Sequence, residues 1–322
     1  MTSERVVFVT TSFPETPGDA AGHFVEAEAR GLQQRGVRVQ VIAPGASRRI
    51  GDVEVLGVEH HGAFGWPGAL SRIRSRPTRI VGAAAFVHGA RARLARLPHD
   101  RVVAHFLVPS AFPIATISAA PLEIVAHGSD VRVFARLPRT LRSRMARAWL
   151  GRSVEVRCVS AELATELVRT APELAERVRV EPARVDVSGA PSRSEARRAH
   201  GVDASDARLV LLATRLVPEK RVDVALAALE LVPDVRVVVL GDGPSEAVLR
   251  ARFPTVTFLG RRPRSEALSW IRAADLVLSA SRREGAPSVV REARALGVPV
   301  VCPVVGDLAA WAERDPDLWL VA

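Results

Sequence analysis

The sequence predicts an α/β protein made of two Rossmann-like, doubly wound domains facing a cleft. Three observations carry that expectation. Short β-branched and aliphatic runs alternate with helix-length segments along the whole chain, the pattern of parallel sheets built from strand–helix–strand units. A stretch rich in Ser, Gly, Pro and charge, "DVSGAPSRSEARRAHGVDASDA" (186–207), separates seven such runs from six. With 322 residues, 48% of them hydrophobic and 25% charged, the chain suffices for two cores of ordinary size. The expected division is an N-terminal domain over 1–187, a linker over 188–207 and a C-terminal domain over 208–322.

In the first half the predicted strands are "VVFVT" (6–10), "VRVQVIAP" (37–44), "VEVLGVE" (53–59), "VVAHFLV" (102–108), "LEIVAHG" (122–128), "VEVRCVS" (154–160) and "VRVEPA" (178–183). In the second half they are "LVLLAT" (209–214), "VRVVVLG" (235–241), "VTFLG" (256–260), "LVLSAS" (276–281), "PVVCPV" (299–304) and "LWLVA" (318–322). Near-continuous apolar runs of this kind suit strands covered on both faces. Ligands of such sheets gather at the carboxyl ends of the strands. The last run closes the sequence with no helix behind it, so its edge is expected to be bare or covered by something else.

Composition narrows the function. The opening "MTSERVVFVTTSFP" lacks the basic start and small-residue cleavage pattern of a signal peptide. No window approaches the roughly 18 to 20 apolar residues of a membrane span, so a soluble or peripheral protein is expected, cytoplasmic and able to sit at the inner membrane face. Cys158 and Cys302 lie in strand-like runs and read as buried thiols of a reducing compartment. The net charge of +10 is concentrated in residues 1–190, where 26 arginines face 18 acidic residues. Two stretches there, 70–96 and 131–149, contain no acid. Such faces could touch anionic lipid, nucleic acid or an acidic substrate, or simply be solvated. No His or Cys cluster has metal-ligand spacing, "DPD" (315–317) sits in a turn before the last strand, and "GDGPSE" lacks the third glycine of a dinucleotide fingerprint. Metal and NAD functions are therefore not expected, and no nucleic-acid partner is expected either.

The most informative stretch is "SASRREGAPSVVREARALGVPVVCP" (279–303). Pro287 suits a helix start, and Gly297 with Pro299 ends the helix. That arrangement places Glu284 in the loop before the helix and Glu292 on its second turn. Two carboxylates at a strand's carboxyl end can accept hydrogen bonds from sugar hydroxyls, while the helix N-terminus attracts phosphate. The plainer alternative pairs Glu292 with Arg291 or Arg294 and leaves Glu284 as a cap. A second signal is Lys220 in "ATRLVPEKRVD" (213–223), the only lysine among 45 basic residues. It is expected in the first turn of a helix begun by Pro218 and Glu219. The dipole there disfavours a cation, so an anion is needed beside it. Glu219 or Asp223 could be that anion, and so could a bound diphosphate.

The two glutamates, with seven residues between them, resemble the Glu motif of retaining glycosyltransferases of the GT-B fold, and the wider run is similar to family 4, the glycosyltransferase group 1 proteins. "TSFPETPGDAAGHFVEAEARGLQQRGVRVQVIAP" (11–44) resembles that family's opening strand, glycine loop and first helix. "AHGSDV" (126–131) matches its His-Gly-x-Asp segment, "TRLVPEKRVD" (214–223) its Arg and Lys clamp, and "LGDGP" (240–244) its next turn.

The resemblance implies a hexosyltransferase that moves a hexose from a nucleotide diphosphate sugar to an acceptor hydroxyl, with retention and without a metal or cofactor. The N-terminal domain would take the acceptor and the C-terminal domain the donor. Glu292 would hold the donor ribose, and Glu284 would face the sugar. Arg215 and Lys220 would grip the diphosphate, and His127 would sit near the reacting sugar. Gly18, Gly22, Gly243, Gly285 and Ala286 would complete the donor-binding set. His127 has the alternative of a satisfied core histidine, and His105 reads as core or as support for the site. Three departures from the family pattern stand out: "PARVD" (182–186) lacks the usual hinge glycine, "VGDLAAW" (305–311) lacks paired glycines, and the closing helix is missing. They leave a silent relative that binds a sugar nucleotide or a partner chain as the main alternative. A nucleotide-sugar 2-epimerase of the same architecture would need further carboxylates that are not identifiable here.

Overall fold

The computed structural model describes residues 3–19, 21–65, 68–202 and 208–321. The chain divides into two compact units, Met1–Arg184 and Val185–Ala322. The described part of the first holds β1 (Arg5–Val9), β2 (Arg38–Pro44), β3 (Arg48–Ile50), β4 (Val53–Val58), β5 (Arg101–His105), β6 (Leu122–Ala126), β7 (Val154–Cys158) and β8 (Val178–Val180). They form one sheet in the order β3-β4-β2-β1-β5-β6-β7-β8, parallel except for β3 against β4. The second unit holds β9 (Arg208–Ala213), β10 (Val235–Leu240), β11 (Thr257–Gly260), β12 (Leu276–Leu278), β13 (Val300–Pro303) and β14 (Leu318–Val321). Its sheet is wholly parallel, in the order β11-β10-β9-β12-β13-β14.

All thirteen predicted runs form strands, because apolar faces on both sides of a parallel sheet leave a nearly unbroken β-branched signature. Strand β9 shows how the alternation is used. Leu209 and Leu211 enter one buried cluster with Val277, Val300 and Cys302, whereas Val210 and Leu212 enter another with Val222, Leu226 and Val239. The two clusters cover opposite faces of one sheet, as the period-two geometry of a strand requires. Both cysteines are buried and unpaired, and burial pushes their thiols up to about 12 for Cys158 and about 11 for Cys302.

Three details differ from expectation. Strand β3 is additional, a three-residue antiparallel edge on β4. The fifth predicted strand stops at His105; Phe106 has φ 79 and an irregular helical segment, Leu107–Ile114, follows. The stretch expected as a linker over 188–207 folds in part: a helix over Arg193–Ala199 opens with a capping box between Ser192 and Glu195. Arg193 and Arg197 of that helix pair with Asp275, so it belongs to the second unit, and residues 203–207 lie outside the described part. Strand β14 lies at the edge of its sheet, with Trp319 and Val321 about half exposed. Among the described residues, no helix is long and apolar enough to cross a membrane.

In each sheet the chain winds outward from a first strand and then returns to that strand's other side. The reversal lies between β1 and β5 in one unit and between β9 and β12 in the other. The loops leaving these strands diverge there, which makes the strand ends a natural binding crevice.

Candidate functional site

In the second unit the candidate residues flank that reversal. Arg215 and Lys220 follow β9, and Glu284, Gly285 and Ala286 follow β12. Lys220 does not lie in the first turn of an α-helix. It ends a short turn over Pro218–Lys220; Arg221 then adopts φ 48, and the helix begins at Val222. The left-handed residue breaks the helical path, so Lys220 stands ahead of the helix rather than within it. Its anion is neither Glu219 nor Asp223. The Lys220 ammonium donates to the Glu284 carboxylate, with about 15% and 16% of the two side chains exposed. The Arg282 amide also donates to the Glu219 carbonyl at 3.0 Å, tying the two loops together along the backbone.

Glu292 lies on the second turn of the helix Ser288–Ala295, as its spacing predicts, and is buried. Pro287 precedes the first helical residue, and the helix ends in a Schellman turn. Gly297 N–H donates to the Arg294 carbonyl at 3.0 Å and Val298 N–H to the Ala293 carbonyl at 2.8 Å. One charge partner of Glu292 is Arg264, Nη1 to Oε1 at 2.7 Å, and Nη2 of the same guanidinium donates to the Asp186 carbonyl at 2.6 Å. Arg294 is engaged elsewhere, with Asp315 at 2.7 Å and Asp317 at 3.2 Å. The Asp-x-Asp turn is thus held by a guanidinium, which keeps the Asp315 carboxyl below its ordinary range.

The "GDGP" turn packs directly on the loop after β9. A Cβ on Gly243, which has φ 155, would lie 2.5 Å from the Leu216 carbonyl oxygen, so only glycine fits. Leu216 N–H donates to the Asp242 carbonyl at 2.8 Å, fixing this turn beside Arg215.

In the first unit, Gly18 lies in the loop after β1 and Gly22 caps the helix His23–Gln33. Gly22 has φ 72, and a Cβ there would stand 2.6 Å from the Ser12 carbonyl carbon, so the glycine lets the loop fold onto itself. His127 follows β6 and is half-buried between Phe24 and Phe106, with ring centroids 4.6 and 4.7 Å away. Asp130 builds the segment around it. One oxygen accepts from the His127 and Gly128 amides at 3.1 and 2.8 Å, and the other accepts from the Leu107 amide at 3.0 Å. Burial raises the Asp130 carboxyl above its ordinary value, and these backbone bonds oppose the rise.

Behind His127 stands His105, fully buried, with its Nδ1 3.0 Å from His127 Nε2. Burial holds His105 down to about 3 and His127 well below its usual value, with Arg157 adding repulsion to both. Sequence reasoning left His105 as core or support, and the structure places it against His127. Arg264 was missed altogether, since 28 residues separate it from Glu292 and no local pattern links them. Among the described residues, no group of three or more His, Cys, Asp or Glu is gathered as metal ligands would be.

Similarity to known proteins agrees with this geometry. The Glycosyltransferase Family 4 model matches residues 21–188, more than half of the chain, and the glycosyl transferases group 1 model matches residues 192–310. The chain belongs to glycosyltransferase family 4. Over 95% of its length it is 28% identical to TuaC of Bacillus subtilis, a putative teichuronic acid biosynthesis glycosyltransferase, covering 82% of that protein. Among solved structures, it resembles sucrose-phosphate synthase of Thermosynechococcus elongatus with a TM-score of 0.77 and 16% identity, covering 99% of this chain and 86% of that one. Anabaena HepE, solved with UDP-glucose, gives a TM-score of 0.67 at 20% identity, with 99% and 85% covered. The family 4 chain therefore has the GT-B fold, two α/β domains with parallel sheets, and is a glycosyltransferase.

Proposed function

We propose that this family 4 enzyme transfers a hexose from a nucleotide diphosphate sugar to an acceptor hydroxyl, with retention at the anomeric carbon and without a divalent metal or cofactor. The observation that carries the reading is the pairing of Lys220 with Glu284 where the chain reverses between β9 and β12. An ammonium with three donors suits a diphosphate, and a carboxylate suits sugar hydroxyls. Arg215 completes the clamp, Glu292 takes the ribose, and His127 of the first unit serves the sugar. Gly18, Gly22, Gly243, Gly285 and Ala286 let the backbone approach the donor. HepE has been solved with UDP-glucose, which supports a sugar nucleotide as donor.

Leaving-group charge on the diphosphate would be offset by Arg215 and Lys220 in place of a metal. The engagement of Asp315 and Asp317 by Arg294 supports this, because the one Asp-x-Asp turn is already occupied. The arginine-rich helices of the first unit support work in the cytoplasm at an anionic membrane face. The test is product detection with a panel of sugar nucleotides and acceptors, in excess chelator, with the anomeric configuration read by NMR. Transfer with retention in chelator is expected. Inversion, or activity that Mn²⁺ or Mg²⁺ must restore, would overturn the corresponding element. Nucleotide binding without any transfer would favour the silent relative.

A further inference from the structure

His127 has a second ring nitrogen, Nδ1. Among the described residues it makes no hydrogen bond, and the His127 side chain is half-buried rather than fully enclosed. The opposite situation holds one residue behind. His105 Nε2 is buried without a partner, while Nδ1 of the same ring meets His127 Nε2 at 3.0 Å. His105 lies at the end of β5 with its ring against Phe8, at a centroid distance of 5.1 Å. Among the described residues, no side chain or backbone group partners its inner nitrogen.

These facts determine where the protons sit. Two neutral imidazoles joined nitrogen to nitrogen need one donor and one acceptor. If His105 carried its proton on Nε2, an N–H would be buried with nothing to accept it, an arrangement that costs the full desolvation of a donor. If the proton is on Nδ1, that donor is satisfied by His127, and the unpartnered atom is only a weak ring acceptor. A charged His105 is disfavoured by burial and by the nearby Arg157 guanidinium. Arg157 is itself neutralised by Glu28 and Glu123. Asp130, the other buried acid in this region, spends both oxygens on backbone amides.

We infer that His105 is a positioning residue that donates through Nδ1–H to His127 Nε2 and so fixes His127 as the Nδ1–H tautomer, presenting a donor rather than an acceptor to the bound sugar. The inference rests on the reading that His127 serves the sugar. Its physical content is separate: without His105, His127 is free to take either tautomer, and its outward nitrogen becomes an acceptor part of the time. A donor at that position suits a sugar hydroxyl oxygen held as acceptor.

The test begins with the unmodified protein. Two-bond ¹H–¹⁵N correlation on histidine-labelled protein, with His127 assigned through His127→Ala, should show the His127 proton on Nδ1. A proton on Nε2 overturns the inference, whatever the activity. Three variants then separate positioning from packing. In His105→Asn the amide nitrogen replaces Nδ1 and keeps the donor; in His105→Gln it falls at the Nε2 position; His105→Phe fills the core and removes both. The Asn variant should hold the tautomer and keep turnover within about threefold. The Gln and Phe variants should lose the single tautomer and lower kcat roughly ten- to a hundredfold, with the donor dissociation constant unchanged. Equal turnover in the Asn and Gln variants, or a tautomer indifferent to position 105, sinks it. Activity of His127→Ala equal to the parent would instead remove the functional reading of His127, a result that the tautomer measurement does not depend on.

Discussion

Lys220 and Glu284, 64 residues apart in sequence, form an ion pair that joins the loop after β9 to the loop after β12. In the proposed donor site, the pair joins the diphosphate and sugar positions, and a donor would compete with Glu284 for the ammonium. This gives the lone lysine a physical reason. A compact charge with three rotatable donors can be shared between a carboxylate and a phosphate, whereas a planar guanidinium is longer and wider. Lys220→Arg should therefore keep the fold and net charge yet lower turnover. Lys220→Ala should lower it further, by roughly ten- to a hundredfold for a lost charged hydrogen bond of about 1.5 to 3 kcal/mol. Steady-state kinetics with saturating acceptor, alongside thermal melts, measures this. Parental kinetics in Lys220→Arg would leave the lysine with no special role.

Glu292 and Glu284 should separate in their effects. Glu292→Ala is expected to weaken nucleotide binding by tenfold or more, while Glu284→Ala mainly lowers transfer. The structure adds a stability term for Glu292, because its loss leaves Arg264 without that buried carboxylate. Urea unfolding of Glu292→Ala should show a loss of about 1 to 3 kcal/mol. Arg264→Ala should reproduce part of both effects, since Arg264 holds the carboxylate in place. Calorimetry on the three variants decides the matter. If Glu292→Ala binds nucleotide like the parent while losing stability, Glu292 is only the partner of Arg264.

Why some of this was legible and some was not follows from the range of the forces involved. The strands are visible because covering both faces of a parallel sheet demands uninterrupted apolar runs, as in "LVLLA" of β9. Strand β3, "RRI", carries no such mark, since three residues at an edge pair only through β4. The helix at Arg193–Ala199 did leave a local mark, the Ser192-x-x-Glu195 capping box, but it was outweighed by the polar composition around it. Glu284, Glu292 and Lys220 stood out by residue type and spacing. Their pairings did not, because Lys220 with Glu284 and Arg264 with Glu292 meet only when separate loops are brought to one end of a sheet.

Acid should destabilise the protein before its carboxylates titrate. His105 is held down to about 3, and His127, His60 and His200 are also lowered by burial, so the unfolded chain binds these protons first. Stability contributed this way is complete above the unfolded histidine value near 6.5 and is lost as pH falls toward the folded values. For the deeply lowered His105 the slope approaches about 1.4 kcal/mol per pH unit, while the more exposed His60 and His200 contribute much less. The raised Asp130 and Glu28 carboxyls act in the opposite sense, but nearer their own lower range. Urea midpoints should fall between pH 7 and pH 5, and less steeply in His105→Asn. A flat profile in the parent over that interval contradicts the burial of neutral imidazoles.

The proposed contact of the first unit with an anionic bilayer has a candidate surface. In the acid-free stretch 70–96, Ile80 and Val81 open the helix Ile80–Leu94 with 63% and 66% of their area exposed. Arg74 and Arg76 lie exposed just before them, and Arg72 and Arg79 are half-buried alongside. Two exposed aliphatic side chains preceded by four arginines in the chain could enter the headgroup region while the charges meet lipid phosphates, each cation contributing about 1 kcal/mol near such a surface. Sedimentation with vesicles should require anionic lipid and weaken as salt shortens the Debye length from about 10 Å at 0.1 M. The two contributions can be separated by substitution. Arg74→Glu with Arg76→Glu should abolish binding at low salt, and Ile80→Ser with Val81→Ser should reduce it while leaving its salt dependence intact. Equal binding to neutral vesicles would assign the interaction to the aliphatic pair alone, and no binding to either would leave the arginine face solvated.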